Sequence, residues 1–259
     1  MPSGRRETGL ARSAALVTGA SYGVGAATAL ALARAGYDVA ITATRSDNLR
    51  RTLAALAETK ARVVPLVLDL RGQQSILRAF GDTLAALGQL DVLVNNAALN
   101  LRKLAVDVTP DEWDAVMKTN ARGAFFLSQQ AGRHWIACGQ PGCIVNIASA
   151  HGLVGAAERS TYGISKAAIV HMTKMLAVEW AEHGIRVNAV APGRMQTDSP
   201  SRAEKGSDEA YMAAMLKRIP LHRLATAEEV ASAVCWLASP AAASMTGQTI
   251  VLDGGLTAA

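Results

Sequence analysis

The sequence predicts an α/β protein built on a doubly wound parallel sheet with helices on both faces. Two observations predict it: short, nearly continuous apolar runs, and Ala-rich segments of helical spacing that alternate with them. Strands covered by helices on both faces carry such unbroken apolar runs, and regular strand–helix alternation is typical of a parallel sheet. The seven runs that we interpret as strands are residues 14–17, 38–44, 62–68, 91–94, 143–148, 185–190 and 249–252.

End signals mark several of the intervening helices. A helix over residues 25–35 is followed directly by a glycine, a common helix stop. Residues 109–112 read Thr-Pro-Asp-Glu, which is typical of an N-cap, a proline at the first helical position and acids in the first turn. Residues 226–229 read Thr-Ala-Glu-Glu and match the capping box. These signals place helices between the predicted strands.

The length of the chain limits its organisation. Half of its 259 residues are hydrophobic, which is enough for one substantial core. We therefore predict one domain over residues 1–259. Residues 1–12 are polar and are expected to form a loose N-terminal arm. Residues 194–223 form the only long stretch without a clear strand, and we predict a variable substrate flap there.

Composition argues against several classes of protein. The net charge is +5, but Lys and Arg form no long run and no basic helical stripe, so we expect no nucleic-acid partner. No apolar run reaches ~18 residues, so we expect no membrane span, and the polar start lacks a signal-peptide centre. Three cysteines, Cys138, Cys143 and Cys235, are interpreted as packing residues of a cytoplasmic protein. No set of residues has metal-ligand spacing, so no metal is predicted.

A glycine-rich turn follows the first predicted strand. Residues 18–25 read Thr-Gly-Ala-Ser-Tyr-Gly-Val-Gly and lead into a helix. Glycines at 19, 23 and 25 allow a tight turn and a close approach to a pyrophosphate, which the helix N-terminus attracts. The spacing differs from the usual dinucleotide fingerprint, so an ordinary strand–helix turn is the alternative. Its position in the first β–α unit favours a dinucleotide site.

A second pattern combines Ser149 with Tyr162 and Lys166. Tyr162 and Lys166 are four residues apart and share one face if the segment is helical. A phenol with an ordinary pKa of ~10 transfers protons poorly at neutral pH, and a nearby ammonium lowers that pKa. Tyr162 is therefore a candidate general acid and base. A surface tyrosine beside a solvated lysine is the alternative.

Together these motifs resemble the single-domain short-chain dehydrogenase/reductase family over essentially the whole chain. The resemblance implies a Rossmann-like fold and an NAD(P)(H)-dependent oxidoreductase that moves a hydride between a nicotinamide and a carbonyl or alcohol carbon. The matching pieces appear in the family's order and at its usual intervals: residues 18–25, Asp69, Asn95, Asn96, Ala97, Asn120, Ser149, Tyr162, Lys166, Pro192 and Gly193.

The resemblance implies a role for each of four catalytic residues. Tyr162 would exchange a proton with the substrate oxygen, and Ser149 would hydrogen-bond that oxygen. Lys166 would lower the pKa of Tyr162 and hold the nicotinamide ribose. Asn120 would place a water that links Lys166 to solvent; the alternative is a mid-helix asparagine bonded to its own backbone.

The resemblance also implies a set of cofactor contacts. Asp69 would accept from the adenine amino group, the alternative being a helix N-cap. Ala98 stands where the family usually has glycine, and we expect this change to be tolerated. The implied cofactor-binding residues are Gly19, Ser21, Tyr22, Gly23, Val24, Gly25, Thr44, Arg45, Ser46, Asp69, Leu70, Asn96, Ala97, Tyr162, Lys166, Pro192, Gly193, Met195 and Thr197.

The end of the second predicted strand bears on the choice of nicotinamide. An acid there would bind the adenosine ribose and repel a 2′-phosphate. The corresponding residue is Ala43, and Thr44, Arg45 and Ser46 can donate to a phosphate. NADP(H) is therefore favoured and NAD(H) remains possible. Tyr22, where NADP-dependent relatives often have a cation, weakens the case, and a solvated Arg45 is the alternative.

Three functions are consistent with the sequence. The first is an oxidoreductase of a small sugar, polyol or keto/hydroxy compound. The cation-rich flap would fit an anionic or polyhydroxylated substrate, but solvated charge is the favoured alternative, and His151 would border the substrate or be a bystander. The second is a 3-oxoacyl-acyl-carrier-protein reductase, disfavoured because residues 124–129 and 175–180 offer no arginines to an acidic carrier. The third is a non-enzymatic dinucleotide-binding regulator, disfavoured because such proteins typically lose the Tyr or the Lys.

Two long predicted helices, residues 111–138 and 161–183, carry more apolar side chains than one sheet face can cover. Symmetric pairing would bury the excess. The family commonly pairs through these helices and again through the last helix and strand, here 228–237 and 249–252. We therefore expect a homotetramer; the alternative is that the side chains pack inward. They are Phe125, Phe126, Leu127 and Trp135 on the first helix and Ile169, Met172, Met175, Leu176 and Trp180 on the second.

Overall fold

The computed structural model describes residues 12–195 and 209–259, with side chains from residue 213 in the second range. The predicted arm, except for Arg12, and flap residues 196–208, including Thr197, lie outside the described residues. The described chain forms one seven-stranded sheet of order β3-β2-β1-β4-β5-β6-β7, and every strand pair is parallel. The predicted doubly wound fold is confirmed. The strands are β1 Ala14–Val17, β2 Asp38–Ala43, β3 Val63–Val67, β4 Val92–Asn95, β5 Gly142–Ile147, β6 Ile185–Pro192 and β7 Thr249–Leu252.

The helices fall where the sequence predicts them, with one difference. The predicted helix over 111–138 is interrupted by a π-helical segment at Lys118–Gly123, which divides it into α4 and α5. The predicted N-cap at Thr109 and the predicted capping box at Thr226 are both present, and Thr109 also forms a capping box with Glu112. The helices are α1 Gly23–Arg34, α2 Arg50–Leu56, α3 Gln73–Leu87, α4 Pro110–Met117, α5 Ala124–Cys138, α6 Ser160–Trp180, α7 Glu209–Lys217 and α8 Ala227–Ala238.

The core consists of two apolar layers, one on each face of the sheet. Along β1, Val17 points into one layer and Leu16 into the other, and both are fully buried. The same alternation holds in β4 and β5. Helices α1, α2 and α8 cover the first face, and α3, α5 and α6 cover the second. Burial on both faces explains why the sequences of the five inner strands are unbroken apolar runs rather than alternating ones.

The strand order creates a crevice at the carboxyl edge of the sheet. The chain winds outward from β1 to β3 and then returns to place β4 on the other side of β1. Loops that follow β1 and β4 therefore diverge, and ligands of open parallel sheets bind at such a reversal point. The predicted site residues lie on loops and helix starts at this edge.

One prediction about the cysteines is wrong. Cys143 is buried and Cys235 partly buried, but Cys138 is exposed at the last position of α5. It does not pack because the chain leaves the core at the end of α5, where residues 136–140 are all exposed. Among the described residues, no cluster of His, Cys, Asp or Glu is arranged to hold a metal ion. No helix within the described ranges is long and apolar enough to cross a membrane.

Candidate active site

The turn between β1 and α1 forms a concave backbone surface. Gly19 has a φ of +64°, and a Cβ there would lie 2.7 Å from the Cα of Ala97. A Cβ on Gly25 would lie 2.3 Å from the carbonyl oxygen of Gly19. Tyr22 occupies the N-cap of α1 and makes no capping hydrogen bond through its side chain. The turn therefore leaves the first amides of α1 to a ligand, and a pyrophosphate fits such a cradle.

The glycine turn is fastened to the end of β4. Thr18 Oγ1 accepts from the backbone amides of Asn96, at 2.9 Å, and Ala97, at 3.0 Å. Asn96 Nδ2 donates to the carbonyl oxygens of Thr18 and Gly19, both at 2.9 Å. Asn96 and Ala97, which the resemblance implies as cofactor-binding residues, hold the turn in shape.

The carboxyl end of β2 presents no acid. Ala43, its last residue, is buried and neutral. The next three residues, Thr44 to Ser46, are exposed. Asp47, the first carboxylate after the strand, is paired with Arg50 at 2.7 Å. This end of the sheet can therefore accept a phosphate beside Arg45 without repulsion from the strand end.

Asp69, after β3, has a partner that the sequence analysis missed. Arg71 binds its carboxylate through two nitrogens, at 2.7 Å for Nη2 to Oδ2 and 3.0 Å for Nε to Oδ1. Hydrogen bonding from Arg71 lowers the pKa of Asp69. The N-cap of α3 is Gly72, so the N-cap alternative for Asp69 is wrong. Leu70 is buried against Gly123 of the π segment.

Ala98, which replaces the glycine usual in the family, causes no backbone strain. Among described residues other than glycine, only Glu158 and His222 have positive φ. The backbone at position 98 therefore lies in a region that any L-residue adopts. Its side chain is exposed at the site edge. The expectation that alanine is tolerated there agrees with this geometry.

Tyr162 and Lys166 lie on one face of α6, as their spacing predicts. The Lys166 Nζ lies 5.8 Å from the centre of the Tyr162 ring. Lys166 is buried, and its Nζ donates to the carbonyl oxygen of Ile147 at 2.6 Å. Burial lowers the pKa of Lys166 to about 8. A lysine held in this way is a positive charge fixed beside a phenol.

Ser149 is joined to Tyr162 through His151. Ser149 Oγ caps the short helical turn Ala150–Gly152 by accepting from the amide of His151 at 3.2 Å. The His151 ring then meets the Tyr162 ring edge-on, with centroids 6.4 Å apart. The turn fits closely against α6, because a Cβ on Gly152 would lie 2.7 Å from the Lys166 backbone.

Asn120 lies in the π segment and connects the same cluster to the loop after β4. Its Oδ1 accepts from the amide of Leu99 at 2.7 Å, and its Nδ2 donates to Leu99 O and to Ser165 Oγ, both at 2.9 Å. The alternative, an asparagine bonded to its own helix backbone, is therefore wrong. Ser165, which the sequence analysis missed, lies between Tyr162 and Lys166 and donates to the Tyr162 carbonyl.

The remaining predicted residues follow β6. Pro192 ends the strand and is buried, and the amide of Gly193 donates to Leu252 O at 2.9 Å. A Cβ on Gly193 would lie 2.7 Å from the Cα of Asp253, so only glycine fits there. Met195 forms an isolated bridge with Ala225. The Gly193 contacts tie the loop after β6 to the end of β7, and the Met195 bridge ties it to the segment before α8.

Comparison with known proteins identifies the family. The family model described as Enoyl-(Acyl carrier protein) reductase matches residues 19–257. The chain belongs to the short-chain dehydrogenase/reductase family. It is accordingly an NAD(P)-dependent oxidoreductase, and the Rossmann-like fold is that of its structural neighbours.

Members of this family with similar identity to the chain carry different names. The 2-dehydro-3-deoxy-D-gluconate 5-dehydrogenase of Escherichia coli (strain K12) is 38% identical over 242 residues, which is 93% of this chain and 94% of the relative. The 3-oxoacyl-acyl-carrier-protein reductase of Thermotoga maritima is 37% identical over 241 residues, 93% of this chain and 96% of that one. The crystal structure of a putative 2-deoxy-d-gluconate 3-dehydrogenase from Agrobacterium tumefaciens with bound NADP superposes with a TM-score of 0.87, at 36% identity, over 96% of this chain and 98% of that one.

The structure of this family member brings most of the predicted site residues to one edge of the sheet. The glycine turn, Asn96, Ala97 and the four predicted catalytic residues lie on elements that contact one another directly. Thr197 falls outside the described residues. The residues that sequence reasoning missed, Arg71 and Ser165, each lie within a few positions of a predicted one.

Proposed function

We propose that the protein is an NADP(H)-dependent oxidoreductase that interconverts a carbonyl and a secondary alcohol on a small sugar-, polyol- or keto/hydroxy-type substrate. The observation that carries the proposal is that Tyr162 and Lys166 share one face of α6 and that the turn following Ser149 packs against them. The test is incubation of the protein with NADPH and a panel of carbonyl compounds, followed by the loss of NADPH absorbance. Absence of turnover across the panel, with the folded protein binding NADPH, argues for the non-enzymatic alternative.

The chain's own residues handle the proton in this reaction. When bound, the nicotinamide supplies the hydride in reduction and accepts it in oxidation. In reduction, the Tyr162 hydroxyl gives its proton to the carbonyl oxygen as the carbonyl carbon gains the hydride, and the product is the alcohol. Ser149 Oγ hydrogen-bonds the same oxygen and orients it. In oxidation, Tyr162 takes the proton from the alcohol.

Lys166 keeps Tyr162 able to exchange that proton. Its ammonium lies beside the Tyr162 ring and favours the phenolate. We propose that Asn120 places a water that links Lys166 to solvent and restores the proton. Although Asn120 Oδ1 accepts from Leu99, a carboxamide oxygen has a second lone pair that can hold such a water.

The preference for NADP(H) is supported by the end of β2. The neutral Ala43 removes the repulsion that an acid would impose on a 2′-phosphate. Arg45 is exposed and follows it by two residues. A guanidinium binds phosphate with two parallel hydrogen bonds. The NADP found in the Agrobacterium tumefaciens relative supports the same choice.

A carrier-protein substrate is the second candidate, because the family model carries that description. The helix faces considered for docking disfavour it. Residues 124–129 and 175–180 contain no Lys or Arg. Arg122, just before the first segment, packs over the Phe126 ring at 5.0 Å. Turnover of a 3-oxoacyl carrier protein at a higher kcat/KM than any small carbonyl would favour this second candidate.

We also propose that the protein assembles as a homotetramer. The apolar residues of α5 and α6 divide into two sets. Leu127, Trp135, Ile169, Leu176 and Trp180 pack inward, and Phe126 and Met172 are partly buried against the core, as the alternative expectation had it. Others remain exposed and support pairing of α5 and α6 between subunits, with Trp236 of α8 and Val251 of β7 available for the second contact. The exposed residues on α5 and α6 are Phe125, Ile136, Ile164, Met175 and Val178.

A further inference from the structure

The turn that follows β7 is built around the carboxylate of Asp253, which is buried, with 8% of the residue exposed. Its Oδ1 accepts from the amide of Gly255 and its Oδ2 accepts from the amide of Thr257, both at 2.8 Å. Burial raises the pKa of this carboxyl, but hydrogen bonds from Thr257 and from backbone amides outweigh burial and hold the pKa below its ordinary value. Asp253 is therefore ionised at neutral pH, and its charge fixes the backbone of the turn.

The loop after β6 rests directly on this turn. The amide of Gly193 donates to the carbonyl oxygen of Leu252, the residue before Asp253. A Cβ on Gly193 would lie 2.7 Å from both the Cα and the Cβ of Asp253. With no room for a side chain between the two backbones, the position of Gly193 depends on the turn that the Asp253 carboxylate holds.

A second segment, which follows α7, packs on the same turn. A Cβ on Gly254 would lie 2.6 Å from Cγ2 of Ile219, and one on Gly255 would lie 3.0 Å from Cγ of Pro220. The carbonyl oxygen of Gly254 accepts from the amide of Leu221 at 3.0 Å. The turn therefore joins two segments that are distant in the sequence, one after β6 and one after α7.

The strand order places Gly193 at the reactive end of the candidate site. β6 lies next to β5, which leads to Ser149, and the amide of Ala148 donates to the carbonyl oxygen of Val190 at 2.8 Å. Arg45 follows β2, which is separated from β6 by β1, β4 and β5. At the usual spacing of ~4.8 Å between strands, β2 and β6 are roughly 19 Å apart. A dinucleotide that extends from Arg45 toward Ser149 therefore has its nicotinamide half, and not its adenosine half, next to Gly193.

We propose that Asp253 is a positioning residue for the nicotinamide half of the cofactor, because its carboxylate holds the turn on which the Gly193 backbone rests. The inference rests on the proposed function and adds to it a residue that acts through Gly193. Loss of the carboxylate would leave the amides of Gly255 and Thr257 without their acceptor and loosen the loop after β6. The glycine turn and Arg45 lie on other strands, so the adenosine half would keep its contacts.

The first test needs no cofactor. Hydrogen exchange of backbone amides is followed by NMR in the wild type, Asp253→Ala and Asp91→Ala. Asp91 is the matched control, because its carboxylate also accepts from a backbone amide, that of Ala14 at 2.7 Å, but at the amino edge of the sheet. In Asp253→Ala the amides of Gly193 and Leu221 are expected to exchange ~10-fold faster or more, and in Asp91→Ala at the wild-type rate. Exchange of both amides at the wild-type rate in Asp253→Ala overturns the proposal.

The second test separates the two halves of the cofactor. Each protein is titrated with NADPH and with 2′-phospho-ADP-ribose, which lacks the nicotinamide. Asp253→Ala is expected to weaken NADPH binding ~10-fold or more, the scale of losing a hydrogen bond to a charged group, and to leave 2′-phospho-ADP-ribose binding little changed. Asp253→Asn keeps one acceptor for the two amides, so a smaller loss is expected, and this variant serves if Asp253→Ala does not fold. Unchanged NADPH binding, or equal weakening of both ligands, overturns the proposal.

The two proposals fail in different ways. If the wild type binds neither ligand, the proposed function fails, and the exchange rates of Gly193 and Leu221 still decide whether Asp253 holds the loop. If the wild type binds NADPH and reduces carbonyl compounds but the Asp253 variants affect both ligands alike, the reaction stands and the role of Asp253 fails. Asp91→Ala should keep the wild-type ratio of the two affinities, and thermal unfolding verifies that each variant is folded.

Discussion

At the scale of single residues, burial determines the charge of one side chain in the candidate site, Lys166. Lys166 is enclosed by β5, α6 and the turn that holds Ser149, and its Nζ donates to the carbonyl oxygen of Ile147. A carbonyl is a weaker partner for an ammonium than a carboxylate would be. The site therefore keeps a positive charge beside Tyr162 at a cost to the stability of the fold.

That cost predicts how stability depends on pH. Burial lowers the pKa of Lys166 from 10.5 to about 8. Between these values the unfolded chain binds more protons than the folded one, so the contribution of Lys166 to the free energy of unfolding rises with pH, by about 3 kcal/mol in total. Below pH 8 the penalty is fully present. This contribution is the difference between the free energies of unfolding of the wild type and Lys166→Met, which urea unfolding measures at pH 7.5, 9 and 10.5. An unchanged difference between the two proteins across this range contradicts the assignment.

We expect the side chain of Arg45 to account for much of the preference for NADP(H) over NAD(H). Arg45→Ala should weaken NADP(H) binding by ~1.5–3 kcal/mol, the range for a hydrogen bond to a charged group, and leave NAD(H) binding little changed. Arg50→Ala is the control, because Arg50 is nearby and exposed but paired with Asp47. Titration of each protein with NADP(H) and with NAD(H) measures the difference in affinity between the two cofactors. Equal affinity of the wild type for NADP(H) and NAD(H) contradicts the preference.

At the scale of elements, replacing glycine by alanine distinguishes turns that cannot hold a side chain from helix positions that can. Gly19→Ala should destabilise the fold by ~1–3 kcal/mol and abolish cofactor binding, because the methyl group would meet Ala97 in a left-handed backbone. Gly81→Ala, in the exposed interior of α3, meets nothing and should stabilise by ~0.5–1 kcal/mol. Thermal unfolding of the two variants checks both signs. A stabilising Gly19→Ala would show that the turn is not as tight as the structure has it.

The elements also show where prediction from the sequence succeeds. The seven strands were predicted within two residues at each end, because each is a short apolar run that polar turns interrupt. In the five inner strands, burial on both faces accounts for the unbroken run. The π segment at Lys118–Gly123 was not predicted, since one additional residue in a turn barely changes the hydrophobic period. Its position matters, because it carries Asn120 into contact with both Leu99 and Ser165.

Contacts between loops were the other feature that the sequence did not reveal. Tyr162 and Lys166 could be paired from their spacing, because a helix determines which residues share a face. The pairing of Asp69 with Arg71, and of Glu158 with Arg102, depends on loop conformations that no periodic pattern encodes.

At the scale of the whole molecule, the exposed apolar side chains of α6 predict its assembly. Val178 is 83% exposed and Met175 is 56% exposed. Val178→Lys should convert a tetramer to a dimer, since a charge would have to be buried in the α5–α6 contact. Leu77→Lys, on α3, is 39% exposed, lies outside both proposed contacts and should remain tetrameric. Sedimentation at micromolar protein decides: a 27 kDa wild-type species contradicts the assembly.

The measurement that tests the central claim most directly compares wild type and Tyr162→Phe in NADPH-dependent reduction of the carbonyl panel, with NADPH binding measured on the same preparations. Removing the hydroxyl deletes the proton donor and leaves the ring against His151 and Lys166. The account predicts that turnover falls ~100-fold or more while NADPH affinity is largely retained, which is the scale of general acid–base catalysis. A Phe variant that retains near-normal turnover contradicts it.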